Sequence, residues 1–179
     1  HLPHGETEAK LMLQQLKKAN NITETTSCGR VLDAVAAVLG LCHERTYEGE
    51  PAMKLESAAM KGKDTLKMKP IINRDTLDTT QLLSAIFENR DKAAKADLAY
   101  SAHAYLAKGL ASLAIEKARE NSVKTVGFSG GAACNEILAS LMRETVEAAG
   151  LRFLVHEAVP AGDGGISFGQ AVVGGFWQF

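Results

Sequence analysis

With 179 residues, 46% of them hydrophobic and 23% charged, the chain is long enough to bury one substantial core, and its totals exclude an intrinsically disordered polymer. Twenty basic residues against twenty-one acidic ones leave a formal charge of −1, which excludes a general electrostatic attraction to nucleic acid or to an anionic membrane. Cys28, Cys42 and Cys134 are odd in number and far apart, so reduced thiols are expected rather than a disulfide framework, and no CxxC pair argues for structural zinc.

The opening HLPHGETEAK has neither a basic stretch followed by an apolar one nor any part of a run of about 18 apolar residues, so a soluble cytoplasmic protein is expected. A start on His1 suggests a fragment of something longer. Leu11, Leu13 and Leu16 predict a helix from about Glu6 to Ala19, stopped by Asn20 and Asn21. Val31, Leu32, Val35, Val38 and Leu39 predict a second over Ser27 to Leu39, with Gly40 as its stop. Pro51 suits the first turn of a short third helix carrying Met53, Leu55 and Met60, because proline has no N–H to lose there. The alternating TLKMKPIIN reads as an exposed strand, which Pro70 confines to an edge or interrupts.

Asp78, Thr79 or Thr80 can cap a helix over Leu82, Leu83, Ile86 and Phe87, and the alanine-rich Lys95 to Asn121 reads as a core helix. Then come a strand, KTVGF, a helix from about Ala133 to Ala149 ended by Gly150, a strand, RFLVH, a glycine-rich turn, and a last helix from about Ile166. This βαβα order predicts a parallel strand pair in an α/β fold.

In a parallel sheet, ligands gather beyond the carboxyl ends of the strands, where both SGGAACN (129–135) and PAGDGG (160–165) would lie. Glycines admit close backbone approach, and Asn135 at the start of a helix can donate and accept. A tight turn with a local hydrogen-bonding asparagine explains the same letters. Asp163 is open between a metal, an amine and its own backbone.

Four stretches in order, LPHGETEA, TTSCGRVLDAVAAVLGLCHERTYEGEPAMKLE, GFSGGAACNEIL and VPAGDGGISFGQAVVGG, resemble the C-terminal half of the HypF family of hydrogenase-maturation carbamoyltransferases, whose transfer domain is related to the universal tRNA-threonylcarbamoyladenosine enzymes. The resemblance spans nearly the whole chain and is loose between about residues 62 and 95. It implies an actin-like, sugar-kinase-like ATPase subdomain, a mixed sheet flanked by helices, with residues 1–179 as a single domain forming the C-terminal part of the carbamoyl-transfer domain. On this resemblance Asp33 is a candidate for a ribose or substrate hydroxyl, and Gly49 and Glu50 lie beside it. Gly130, Gly131 and Asn135 approach adenosine and phosphate, and Asp163 matches a metal-ligating aspartate. The residues themselves also allow Asp33 to pair with Arg30, Glu50 to be a solvated or capping turn residue, His103 to be a hydrogen-bonded packing residue, and Cys134 to be a small buried side chain. Lys54 stands where the tRNA-modifying relatives usually have glutamate, and that role is not transferred.

The resemblance further implies ATP or carbamoyl-adenylate as ligand, and a divalent metal (zinc, iron or magnesium) in the complete domain only. The implied partner is a hydrogenase-maturation protein with a C-terminal cysteine. The HHxxH-type metal motif of the family is missing, and His1 and His4 do not replace it, so the segment alone is expected to bind metal weakly and to turn over nothing. A freestanding nucleotide- or partner-binding module, or tRNA threonylcarbamoyl transfer, are the alternatives. A homodimer through the face left by a missing subdomain is also expected.

Overall fold

The computed structural model describes residues 2, 4–18 and 22–176. Among the described residues seven α-helices run in chain order: α1 (Gly5–Lys18), α2 (Cys28–Val38), α3 (Glu50–Ala59), α4 (Thr80–Asn89), α5 (Lys95–Glu120), α6 (Glu136–Ala148) and α7 (Ile166–Phe176). Four short strands lie between them: β1 (Ile72–Asn73), β2 (Thr76–Leu77), β3 (Thr125–Gly127) and β4 (Arg152–Leu154). Every predicted helix is present within a few residues of its expected ends. Asn20 and Asn21, the expected stop of α1, lie outside the described residues.

Helix α5 is the spine. Its small residues Ala99, Ala102, Ala107 and Ala111 are fully buried and let α3 and α6 approach closely, while Leu98, Tyr105 and Leu106 fill the space between. Helices α2 and α4 complete this layer through Leu32, Val35, Leu82 and Ile86, all buried. On the other flank β3 and β4 pair in parallel, Thr125 with Arg152, Val126 with Phe153 and Gly127 with Leu154, as the βαβα order predicts. Val126 and Phe153 turn into the core.

Two expectations need correction. The chain has an α/β fold, but among the described residues no larger mixed sheet is formed: there is the parallel pair and a separate antiparallel hairpin of β1 and β2. The predicted strand TLKMKPIIN contributes only its last two residues. Three of its earlier N–H groups go to side chains of α5 instead: Thr65 and Leu66 donate to Ser101 Oγ at 3.1 and 3.2 Å, and Ile71 donates to the Tyr105 hydroxyl at 3.1 Å, while Lys67 donates to Asp64 Oδ1 at 2.9 Å. Buried hydroxyls thus take the place of a neighbouring strand.

Candidate functional site

A cleft of about 700 Å³ opens between the N-terminal ends of α2 and α3 and the two glycine turns that follow β3 and β4. That size is within the roughly 300–1,000 Å³ of small-molecule sites. Asp33, Gly49, Gly130, Gly131, Asn135 and Asp163 all line it. Glu50 does not.

Each wall has a local cause. After β3 the chain turns at Gly130, with φ of 92°, a conformation that side chains rarely adopt, into a 3-10 turn, Gly131–Cys134. Helix α6 therefore begins later than predicted. Asn135 is its N-cap rather than a residue of its first turn, and its Oδ1 accepts from Leu138 N at 2.9 Å. After β4 a second 3-10 turn, Asp163–Gly165, leads into α7. A Cβ on Gly165 would run into the Pro160 carbonyl oxygen, which accounts for the last glycine of GDGG. The two turns are tied together: Gly130 N donates to the Ala161 carbonyl at 2.8 Å. Asp163 is exposed at the mouth.

Asn135 is buried and its amide is engaged at both ends. Its Nδ2 donates to His103 Nε2 at 3.1 Å, and His103 Nδ1 donates to the Ala99 carbonyl at 2.8 Å. This chain of bonds holds the imidazole neutral, with its proton on Nδ1, and burial lowers the pKa of His103 in the same sense. His103 is thus the hydrogen-bonded packing residue expected from its helical setting, and it also fixes a cleft residue. What Asn135 keeps for a ligand is one N–H and one lone pair.

Glu50 is buried and takes no part in the cleft lining. Its carboxylate meets Lys54 Nζ at 2.7 Å and accepts from Thr46 N and Thr46 Oγ1. The bond to Lys54, followed by that from the Thr46 backbone, lowers its pKa to about 2. It is therefore not a solvated turn residue. It closes the loop 46–50 that carries Gly49, φ 79°, to the cleft edge. Asp33 is half-buried, with Arg30 3.8 Å away, so pairing and availability to the cleft coexist.

Several lining residues escape sequence reasoning. Arg30 and Arg45 bring two positive charges to a cleft that Asp33, Glu48, Glu56 and Asp163 also line, so any attraction for an anion is local to the two guanidinium groups. Glu56, also in the lining, accepts from Glu136 N at 2.6 Å and so satisfies a free donor at the start of α6. Cys28 and Cys134 both reach the cleft, and Cys134 is exposed, contrary to the expectation of a small buried side chain. Burial raises the Cys28 thiol pKa. Among the described residues no three histidine, cysteine, aspartate or glutamate side chains gather as a metal site. Asp163 alone supplies too few ligands to hold a divalent ion, so any metal here would need further ligands from outside this segment.

Residues 1–170 match the family described as the carbamoyltransferase Kae1-like domain, second subdomain. The chain belongs to the HypF carbamoyltransferase family. It is 40% identical over 171 residues to the probable carbamoyltransferase HypF of Methanocaldococcus jannaschii, covering 94% of this chain and 22% of that protein. Two solved HypF structures superpose on it. The T. kodakarensis HypF has a TM-score of 0.86 at 47% identity, covering 96% of this chain and 22% of that one. A full-length HypF in a phosphate- and nucleotide-bound form has a TM-score of 0.84 at 30% identity, covering 94% and 23%. The chain thus spans less than a quarter of these HypF relatives. A tRNA N6-adenosine threonylcarbamoyltransferase of Syntrophomonas wolfei is 30% identical over 160 residues, covering 83% of this chain and 45% of that enzyme.

Proposed function

We propose that this HypF segment forms one wall of the nucleotide cleft of an ATP-dependent carbamoyltransferase with actin-like, sugar-kinase-like ATPase architecture, residues 1–179 being the C-terminal part of its transfer domain. Carbamoyl phosphate and ATP would give carbamoyl-adenylate elsewhere in the complete protein. Here the adenylate is held for attack by the sulfur of the C-terminal cysteine of a hydrogenase-maturation partner, which gives up its proton in the step. The sulfur forms a bond to the carbamoyl carbon, and the carbon–oxygen bond to AMP breaks.

The observation that carries this reading is the convergence of Asp33, Gly49, Gly130, Gly131, Asn135 and Asp163 on one cleft from stretches far apart in the chain. Asp33 accepts from ribose hydroxyls, while the Gly130–Gly131 backbone admits phosphate without a Cβ in the way. Arg30 and Arg45 balance phosphate charge, and orientation with electrostatics supplies most of the acceleration. Asn135 acts mainly through its backbone and cap, and Glu50 through the loop it closes. Asp163 serves as one ligand of a divalent ion whose other ligands belong to the remainder of the domain. The segment alone is accordingly expected to be inactive.

Titration calorimetry of the complete protein with ATP tests the assignment. Asp33→Ala is expected to weaken binding at least tenfold, about 1.4 kcal/mol, and an unchanged affinity would overturn it. Asp33 suits this test better than Asn135, whose loss disturbs the fold. The likeness to the Syntrophomonas enzyme supports a second reading, tRNA threonylcarbamoyl transfer. Threonylcarbamoyl transfer to tRNA by the complete protein would favour it.

A further inference from the structure

We infer that Ser129 and His156 form the proton-accepting pair of the transfer step, Ser129 relaying and His156 receiving the proton of the attacking thiol. The inference rests on the carbamoyl-transfer reading above and adds to it the group that takes up this proton.

The placement follows from strand register. Gly127 of β3 pairs with Leu154 of β4, and continuing two residues along each parallel strand brings position 129 beside position 156. Ser129 Oγ lies 2.8 Å from His156 Nε2, while the Ala161 carbonyl, its other acceptor, is at 3.4 Å. In the tautomer that carries its proton on Nδ1, the ring accepts the serine hydroxyl proton at Nε2, the nearer of the two possible acceptors. Ser129 lines the cleft immediately before Gly130 and Gly131, beside the backbone proposed to meet phosphate. His156 is exposed on the outer side and can pass a proton to water. A cysteine thiol has an ordinary pKa of about 8.5, so most of it is protonated at neutral pH and the step needs a proton acceptor.

The step balances. The thiol proton moves to Ser129 Oγ as the serine proton moves to His156 Nε2. Sulfur bonds to the carbamoyl carbon, and the electron pair of the broken carbon–oxygen bond leaves on the phosphate of AMP. His156 then releases its proton to solvent. Ser129 faces the reacting atoms, and His156 acts through it. The other histidine beside the cleft, His103, cannot do this: its ring is buried, and its Nε2 is occupied by Asn135.

The alternative is a staple, a bond whose only effect is to hold the two glycine turns together. The complete protein with His156→Ala and His156→Gln separates these, by single-turnover transfer from carbamoyl phosphate and ATP to the partner cysteine and by ATP titration. Glutamine restores an acceptor for Ser129 without restoring a base. Both variants are expected to slow transfer by about 10²-fold or more while leaving ATP affinity within about twofold. Added imidazole is expected to raise the rate of His156→Ala and not that of the wild type. Transfer preserved in His156→Gln, ATP affinity falling in step with the rate, or no rescue by imidazole would each overturn the relay and leave the nucleotide assignment standing. A wild-type protein that binds ATP but carbamoylates no thiol would overturn the transfer reading and the relay together.

Discussion

Asn135 joins three levels of the molecule: it caps α6, it holds the imidazole of His103 inside α5, and it presents one edge to the cleft. Asn135→Ala removes the cap, at a cost of about 1 kcal/mol, and leaves His103 Nε2 buried without a partner, at a cost of about 1–3 kcal/mol. Urea unfolding should show a loss of about 2–4 kcal/mol, compared with less than about 0.5 kcal/mol for an exposed substitution such as Glu144→Ala. Two pH windows follow from His103, the partner of Asn135, and from Glu50, the first residue of α3. Burial lowers the pKa of His103 below its ordinary 6.5, so the unfolded chain takes up the proton first. Stability is therefore full above pH 6.5 and falls as the pH drops below it, a slope that His103→Gln should remove. Glu50, held at about 2 against an ordinary 4.5, contributes stability that is complete above pH 4.5 and lost between there and about pH 2. Thermal melts of Glu50→Gln against the parent should converge as the pH falls through that window. The candidate residues on the glycine turns were legible in the sequence because turn chemistry and family motifs mark them. The Asn135–His103 bond was not, since it joins residues 32 positions apart on separate helices and no local pattern records it.

Among the elements, the helices were legible because their apolar spacing is the cause of their burial, as with Leu32 and Val35 in α2 or Leu82 and Ile86 in α4. Residues 65–71 show the limit of that logic. Leu66 and Met68 are half-buried while Thr65, Lys67 and Lys69 are exposed, so the alternation reports correctly which side chains face the core. It does not say who receives the N–H groups, and Ser101 and Tyr105 of α5 do so in place of a strand. The close seating of this segment on α5 also fixes two glycines. A Cβ at Gly62 would meet the backbone of Ala96 and Asp97, which cannot swing aside, whereas one at Gly109 would meet only the Leu77 side chain, within 2.5–3.1 Å. Gly62→Ala should therefore cost about 1–3 kcal/mol or more by overpacking. Gly109→Ala gains up to about 1 kcal/mol of helix propensity against a movable neighbour and should be close to neutral. Denaturant midpoints of the two variants would check the contrast.

At the scale of the whole molecule, the two ends of the described chain differ from its centre. Helix α1 has no buried residue, yet Leu11, Leu13 and Leu16 are each more than half exposed on it, and α7 exposes Phe168, Val173 and Phe176 in the same way. A helix of 14 residues is marginal in water without tertiary contacts, so α1 depends on something that covers its apolar side. No described helix is long and apolar enough to cross a membrane, so a bilayer-spanning role does not account for either face. In the complete protein the cover is proposed to be the rest of the transfer domain. In the isolated segment a second copy can supply that apolar surface, and self-association is the expected outcome. Sedimentation equilibrium of the segment should show a concentration-dependent dimer, and Leu13→Glu combined with Val173→Glu should return it to a monomer without lowering its thermal midpoint, because neither side chain is in the core. Hydrogen exchange supplies an independent readout: amides of α1 should be protected in the dimer and exchange rapidly in the double variant, while those of α5 stay protected in both. A strict monomer at millimolar concentration, with α1 protected all the same, would show that these faces need no partner.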